Sequence, residues 1–169
     1  MKPVIVLAMH GSPPKDFPRA ELMEFFTLHA SLGHATSADS GAHGDRHAQL
    51  EAKMRAWPRT DLNDPFYAAS QELAAHLSRA TGHEVLVGFH EFCAPTLDQV
   101  LDLAVARSPE KVIVVTPMTT GGGEHSEIDI PSAVERARQR HPNSSIVYAW
   151  PFDPADVARF LALHISAFY

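Results

Sequence analysis

The sequence predicts an α/β fold: a four-stranded parallel sheet with helices on both faces. Three observations predict it. Four short apolar runs rich in β-branched residues, Val4 to Met9, Glu84 to Phe89, Lys111 to Thr116 and Ser145 to Ala149, read as strands buried on both sides. Between them apolar residues recur at helical spacing, as at Leu97, Val100, Leu101, Leu103 and Ala104, and again around Val134 and Ala137. Strand and helix alternate along the chain, and such alternation requires crossovers, which make the strands parallel and put helices over both faces.

Taken in order, the first strand run is followed by a helix from about Pro18 to Leu32. Gly33 to Arg46 is rich in Gly, Ala, Ser and His, has no apolar period and reads as a flexible loop. A second helical piece runs from about His47 to Trp57 and is stopped by Pro58. This insertion, about 33–57, makes the first crossover longer than a sheet needs and is a candidate lid. Asp64 before Pro65 opens the next helix and Gly82 closes it. Ser126 with Asp129 three residues on resembles a capping-box helix start, and Asp153 before Pro154 opens a last helix ending near Tyr169. No internal repeat divides the chain. Its 169 residues, 45% apolar and 20% charged, suit one domain over 1–169.

Charge and cysteine usage narrow the function classes. The net charge of -6 argues against a phosphate-backbone partner, so no nucleic acid is expected. The charge is uneven: up to Arg59 there are seven basic residues against six acidic, and beyond it seven against fourteen, so an anionic ligand is best met by the N-terminal part. Cys93 is alone and cannot form an intrachain disulfide, which favours a reducing compartment, the cytoplasm. Only six apolar residues separate Pro3 from His10, too few for a signal-peptide core or a membrane span.

In a doubly wound sheet ligands sit beyond the carboxyl ends of the strands, where the strand order reverses. The first run delivers His10, Gly11 and Ser12 there; the second delivers His90 and Glu91; the third delivers Thr116 and Pro117, then Gly121, Gly122, Gly123, Glu124 and His125. Side-chain alternation keeps His90 and Glu91 from facing one pocket unless the strand has already ended. Two histidines and a carboxylate, His10, His125 and Glu91, thus converge on one cleft, and imidazole with carboxylate suits Fe, Co, Ni or Zn with coordination positions left open. The alternative is three unrelated loop residues, His10 bonding only to a neighbouring loop. The glycine run frees the backbone beside a ligand. It does not spell the dinucleotide fingerprint and no phosphate-loop lysine follows it, so no nucleotide is expected. Neither a nucleophile elbow nor an ordered triad accompanies Ser12. The insertion carries His29, His34, His43 and His47 near Asp39 and Asp45, a set that either gathers metal ions or is an ordinary solvated loop.

His10, Gly11 and Ser12 after an apolar strand, Val87, Gly88 and Phe89 leading to Glu91, Pro95, Thr96 and Leu97, then Thr116 and Pro117, and finally His125 with Asp129, Ile130 and Pro131, resemble the CbiX and SirB group of sirohydrochlorin chelatases. The resemblance implies a class II chelatase fold with the His-rich insertion added. It also implies insertion of a divalent metal, cobalt first and iron or nickel next, into sirohydrochlorin or a related tetrapyrrole without ATP, in cobalamin or sirohaem biosynthesis. Carried over by position, His10 and His125 become the metal-binding and catalytic histidines and Glu91 the carboxylate beside them. Ser12 and Gly121, Gly122 and Gly123 then line the macrocycle. A single unit of this size implies a homodimer. Insertion displaces both pyrrole protons, so weak ligands that double as bases are needed, and neutral imidazoles are both. A polycarboxylate macrocycle calls for cations, and Lys15, Arg19, Arg46, Lys53, Arg55 and Arg59 are the candidates around the first loop and the insertion, unless they are ordinary solvated helix charge. The rival reading is a noncatalytic metal-binding or metal-delivery protein on the same fold.

Overall fold

A computed structural model describes residues 2–32 and 40–169. Its centre is a four-stranded sheet in the order β2-β1-β3-β4, formed by β1 (Val4–Met9), β2 (Glu84–Phe89), β3 (Val112–Val115) and β4 (Ile146–Tyr148). Every pairing is parallel, with Val4 opposite both Glu84 and Val112, and Val112 opposite Ile146. The four predicted strands are present, the last two a little shorter than the apolar runs. All six residues of β1 are buried because it lies between two strands and under helices on both faces.

Strand alternation sends the side chains of β1 into two cores. Val4, Val6 and Ala8 pack with Leu97, Val100, Leu101 and Ala104 of α4 (Leu97–Ala106) and with Ile130, Ala133, Val134 and Ala137 of α5 (Ile130–Arg140). Leu7 and Met9 point the other way, to Val87, Phe89, Cys93 and Ala74 of α3 (Pro65–Thr81). Each fully buried aliphatic side chain here is worth about 1.5–3 kcal/mol.

The helix ends follow local chemistry. Asp64 accepts a hydrogen bond from the Tyr67 amide at the start of α3, Pro65 takes the first turn, and Gly82 closes the helix at φ 70°. Thr96 and Gln99 form a full capping box on α4. Asp153 caps α6 (Pro154–Ile165) through the Ala155 amide, and a short 3-10 turn follows. The expected capping box at Ser126 and Asp129 is absent. Ser126 donates instead to the Gly123 carbonyl, and 125–129 form a π-helical turn that frees Asp129 to reach His125.

The insertion also departs from expectation. After α1 (Arg19–Leu32), α2 runs Ser40–Arg55, so residues 40–46, read as loop, are helical. Tertiary contacts override a glycine-rich, weakly helical sequence: Arg46 bonds Glu24 and Lys53 bonds Glu21 across the α1–α2 hairpin. Leu50 and Met54 are buried with Phe17, Phe25 and Phe92. The rest of the expected loop, with His34 and Asp39, lies outside the described residues. The described part of α2 packs as a buttress, not as a free flap. Among the described residues no helix is long and apolar enough to cross a membrane.

The strand order reverses between β1 and β3, and the loop after β1 turns there at Gly11. Gly11 has φ 105°, and a Cβ on it would lie 2.0 Å from the Glu91 carbonyl oxygen. Gly11→Ala is therefore expected to lose about 1–3 kcal/mol through backbone strain, with a further loss from that clash. Urea denaturation checks this; an unchanged midpoint would show that the two loops can separate freely.

Candidate metal centre

Three strand ends build the site. His10 follows β1 directly. The parallel pairing of β1 and β2 outlasts the strands, since the His90 amide donates to the Met9 carbonyl and the Glu91 amide to the His10 carbonyl, both at 2.8 Å. The loop from 90 to 95 then curls back, with Phe92 at φ 57° and the Phe89 amide bonded to the Pro95 carbonyl. Strand geometry ends at Phe89, so alternation no longer applies and His90 and Glu91 turn into one cleft. The π-helical turn after β3 brings His125 opposite them.

The resulting cluster holds three imidazoles and two carboxylates. His125 lies edge-on to His10 at 4.5 Å between ring centroids and 5.0 Å from His90. Glu91 places its two oxygens 3.6 Å from His10 Nε2 and 3.8 Å from His90 Nε2. Asp129 Oδ2 is 2.7 Å from His125 Nδ1 and 3.2 Å from His90 Nε2. Donor atoms of His90, His125 and Asp129 all lie within 4.8 Å of one another, close enough to share one ion. All five side chains are only partly buried, so the cleft is open on one side.

The hydrogen bonds assign the ring nitrogens. His10 Nδ1 is 2.7 Å from the Gly11 carbonyl, which can only accept, so Nδ1 carries the proton and Nε2 keeps its lone pair for the cleft. His125 Nδ1 donates to Asp129 in the same way, leaving Nε2 free. A carboxylate behind a ligating imidazole fixes the ring and raises its basicity. Burial lowers the His90 pKa below its ordinary 6.5, outweighing the opposing pull of Asp129 and Glu91. His90 is thus neutral and able to bind a cation at pH 7.

That shift carries a stability consequence. The folded pKa of His90 is depressed, so as pH falls below 6.5 the unfolded chain takes up its proton first and unfolding becomes easier. Stability from this residue is present above 6.5 and lost as pH falls through the folded value. The urea midpoint should fall between pH 7.5 and 5, and fall less in His90→Gln; equal slopes would remove His90 as the cause.

The sequence-derived trio His10, His125 and Glu91 is brought together. His90 and Asp129 complete the cluster and were not picked out as site residues. Their signals were the position immediately after a strand run and the four-residue spacing from His125. Ser12 is half-buried; its hydroxyl donates to the Pro13 carbonyl at 3.4 Å and its own carbonyl accepts from Arg59. Gly122, at φ 85°, donates its amide to Glu127, and Gly123 packs on Ser126, so the run shapes the approach to His125. Gly121 faces elsewhere, lining an apolar cavity of about 290 Å³ with Trp150, Phe152 and Leu161.

Of the six cations considered for an anionic ligand, four have partners within the chain, which favours the reading without a ligand for most of them. Arg46 and Lys53 pair across the α1–α2 hairpin. Arg55 bonds Glu51 and the carbonyls of His90 and Cys93. Arg59 is buried against Asp64. Among the described residues Lys15 and Arg19 have no ion-pair partner.

Comparison with known proteins places this architecture. The CbiX family model matches residues 63–162. A curated sirohydrochlorin cobaltochelatase of Priestia megaterium is 36% identical over 63 residues, which are 37% of this chain and 20% of that protein, so the match spans about a fifth of the relative. The solved structure of a CbiX protein named for cobalamin (vitamin B12) biosynthesis, from Marinobacter aquaeolei VT8, covers 98% of this chain and 97% of its own at 17% identity, with a TM-score of 0.51, and shows the same fold. The sirohydrochlorin chelatase SirB of Bacillus subtilis subspecies spizizenii, solved with cobalt, aligns over 89% of this chain and 44% of its own at 18% identity, with a TM-score of 0.44. With more than half of its length matched by the family model, over a stretch that includes His90, Glu91, His125 and Asp129, the chain belongs to the CbiX family.

Proposed function

We propose that this protein is a metal chelatase that inserts a divalent ion, cobalt first and iron or nickel next, into sirohydrochlorin or a related tetrapyrrole without a nucleotide. The observation that carries the reading is the cluster of three imidazoles and two carboxylates in one open cleft at the switch point. The name of the Priestia relative, sirohydrochlorin cobaltochelatase, supports the substrate and the metal.

In this reading the ion is a substrate held briefly. His10 and His125 offer Nε2 lone pairs to it from the first and third strand ends, and His90, kept neutral by burial, adds a third. Glu91 and Asp129 supply negative charge that stabilises the dication. As the macrocycle takes the ion, two of the released imidazoles become bases for the two pyrrole protons, so ligand loss and proton uptake occur on the same nitrogen. The hydrogen bond to Asp129 holds the His125 ring in place throughout. Lys15 and Arg19 are the cations left among those six to meet the peripheral carboxylates, with Ser12, Gly122 and Gly123 along the macrocycle edge. A single domain, a homodimer and a cytoplasmic location belong to the same proposal; sedimentation velocity tests the second.

The experiment mixes purified protein anaerobically with sirohydrochlorin and Co²⁺, Fe²⁺ or Ni²⁺ in turn and follows the visible spectrum against a no-protein control. Protein-dependent insertion is expected, and the rates rank the metals. Metal binding with no acceleration would favour a noncatalytic metal-delivery protein.

A further inference from the structure

A second pair of imidazoles meets outside the cleft, across the α1–α2 hairpin. His29, in the last turn of α1, and His47, on α2, bring Nδ1 and Nε2 to 3.2 Å. The rings are stacked, and Phe25 stacks on both, with centroids 5.9 Å from His29 and 4.5 Å from His47. Phe25 thus holds both rings in place. Two metal–nitrogen bonds of about 2.1 Å spanning that separation enclose an angle of about 100° at the metal, near the tetrahedral and octahedral values. His43 lies one turn before His47 and Glu51 one turn after it, on the same side of α2.

A cavity of about 140 Å³ opens beside this pair and reaches one residue of the metal centre, Glu91. Its walls include Phe25, His29, His47, Glu51, Phe92 and Glu91. Glu91 is the carboxylate that also approaches His10 and His90. One acidic side chain therefore stands between the two imidazole sets, on the wall of the cavity that His29 and His47 line and beside His10 and His90. Burial lowers the His47 pKa, keeping that ring a neutral donor at pH 7.

We propose that His29 and His47 form a second divalent-cation site, from which the ion passes by way of Glu91 into the His10, His90 and His125 cleft. Two protein nitrogens with water completing the coordination make a weak site that releases its ion readily, as an entry site must. The binding half stands on the His29–His47 geometry; the delivery half rests on the chelatase reading of the cleft.

The test uses Co²⁺ alone on the full chain, followed by equilibrium dialysis and by visible absorption of the bound ion. His29→Phe/His47→Phe removes the donor nitrogens but keeps stacked rings, and circular dichroism confirms the fold. A cleft variant, His90→Ala/His125→Ala, is expected to retain a Co²⁺ whose affinity falls at least about tenfold when the two phenylalanines are added. Retention of the same affinity, or no Co²⁺ on the cleft variant, would overturn the site. With sirohydrochlorin and limiting Co²⁺, the phenylalanine pair should raise the metal concentration for half-maximal insertion; no rise would overturn delivery. If the unaltered protein inserts no metal, the chelatase reading and the delivery half fail together, while the dialysis result decides the binding site separately.

Discussion

His125→Ala is expected to lower the rate of metal insertion by about two to four orders of magnitude. His125 packs on both His10 and His90, so its loss opens the centre of the cluster. It also removes the imidazole that Asp129 orients at 2.7 Å, and hence a base in the cleft for a pyrrole proton. The side chain is partly exposed at the start of a π-helical turn, and its removal leaves Ser126, Ile130 and the core below in place. Anaerobic initial rates with sirohydrochlorin and Co²⁺ measure the effect. A variant within threefold of the unaltered protein would exclude His125 from the chemistry. Asp129→Asn keeps a partner for the ring but removes the charge, and a loss of about 10–100-fold is expected there.

Arg59→Ala is expected to destabilise the fold by about 3–5 kcal/mol, a large part of the stability of a domain this size. Arg59 and Asp64 form a buried ion pair whose side chains are 6% and 0% exposed. The guanidinium also donates to the carbonyls of Ser12, Met54 and Phe92, so one side chain ties the loop after β1, the end of α2 and the loop after β2. Removing it strands a buried carboxylate and three carbonyls at once. Urea denaturation should show the midpoint falling. Arg59→Met with Asp64→Leu should recover part of the loss, because no charge is then left unpaired, but not all, because Asp64 also caps α3 through the Tyr67 amide. Equal stability of Arg59→Ala and the unaltered protein would show that the pair contributes nothing.

The Arg59 pair also marks a limit of reading charge from sequence. In the sequence Arg55, Arg59, Arg46 and Lys53, which lie around the first loop and the insertion, are either candidates for an anionic ligand or ordinary helix charge. Their carboxylate partners Asp64, Glu24 and Glu21 are five, 22 and 32 residues from Arg59, Arg46 and Lys53, and for the last two no local pattern links them. Arg55 illustrates the same point with backbone partners, the carbonyls of His90 and Cys93, that no sequence pattern marks.

His90 and Asp129 follow the same division. Strand alternation keeps His90 and Glu91 out of one pocket unless the strand has already ended, and only the structure shows that β2 ends at Phe89. Asp129, whose spacing from Ser126 resembles a helix cap, lies instead in a π-helical turn at 125–129 that sets it against the His125 ring. Whether a strand continues for one more residue is decided by backbone bonds to Met9 and His10, far from residues 89–91 in the sequence, and to Pro95. The insertion follows the same division, since residues 40–46, glycine-rich and without an apolar period, are helical in a hairpin with α1 that Arg46 joins through Glu24.

By itself the sequence determined the α/β class, the four strands, the helix starts at Asp64 and Asp153, and the delivery of His10, Glu91 and His125 to one sheet edge. Those features depend on local periodicity, on caps within three residues of their targets, and on the rule that crossover strands run parallel. Only the tertiary structure decided that five side chains rather than three share the cleft, that four of six cations are already paired, and that His29 meets His47. Each of these depends on distances between residues far apart in the chain, set when two elements pack together.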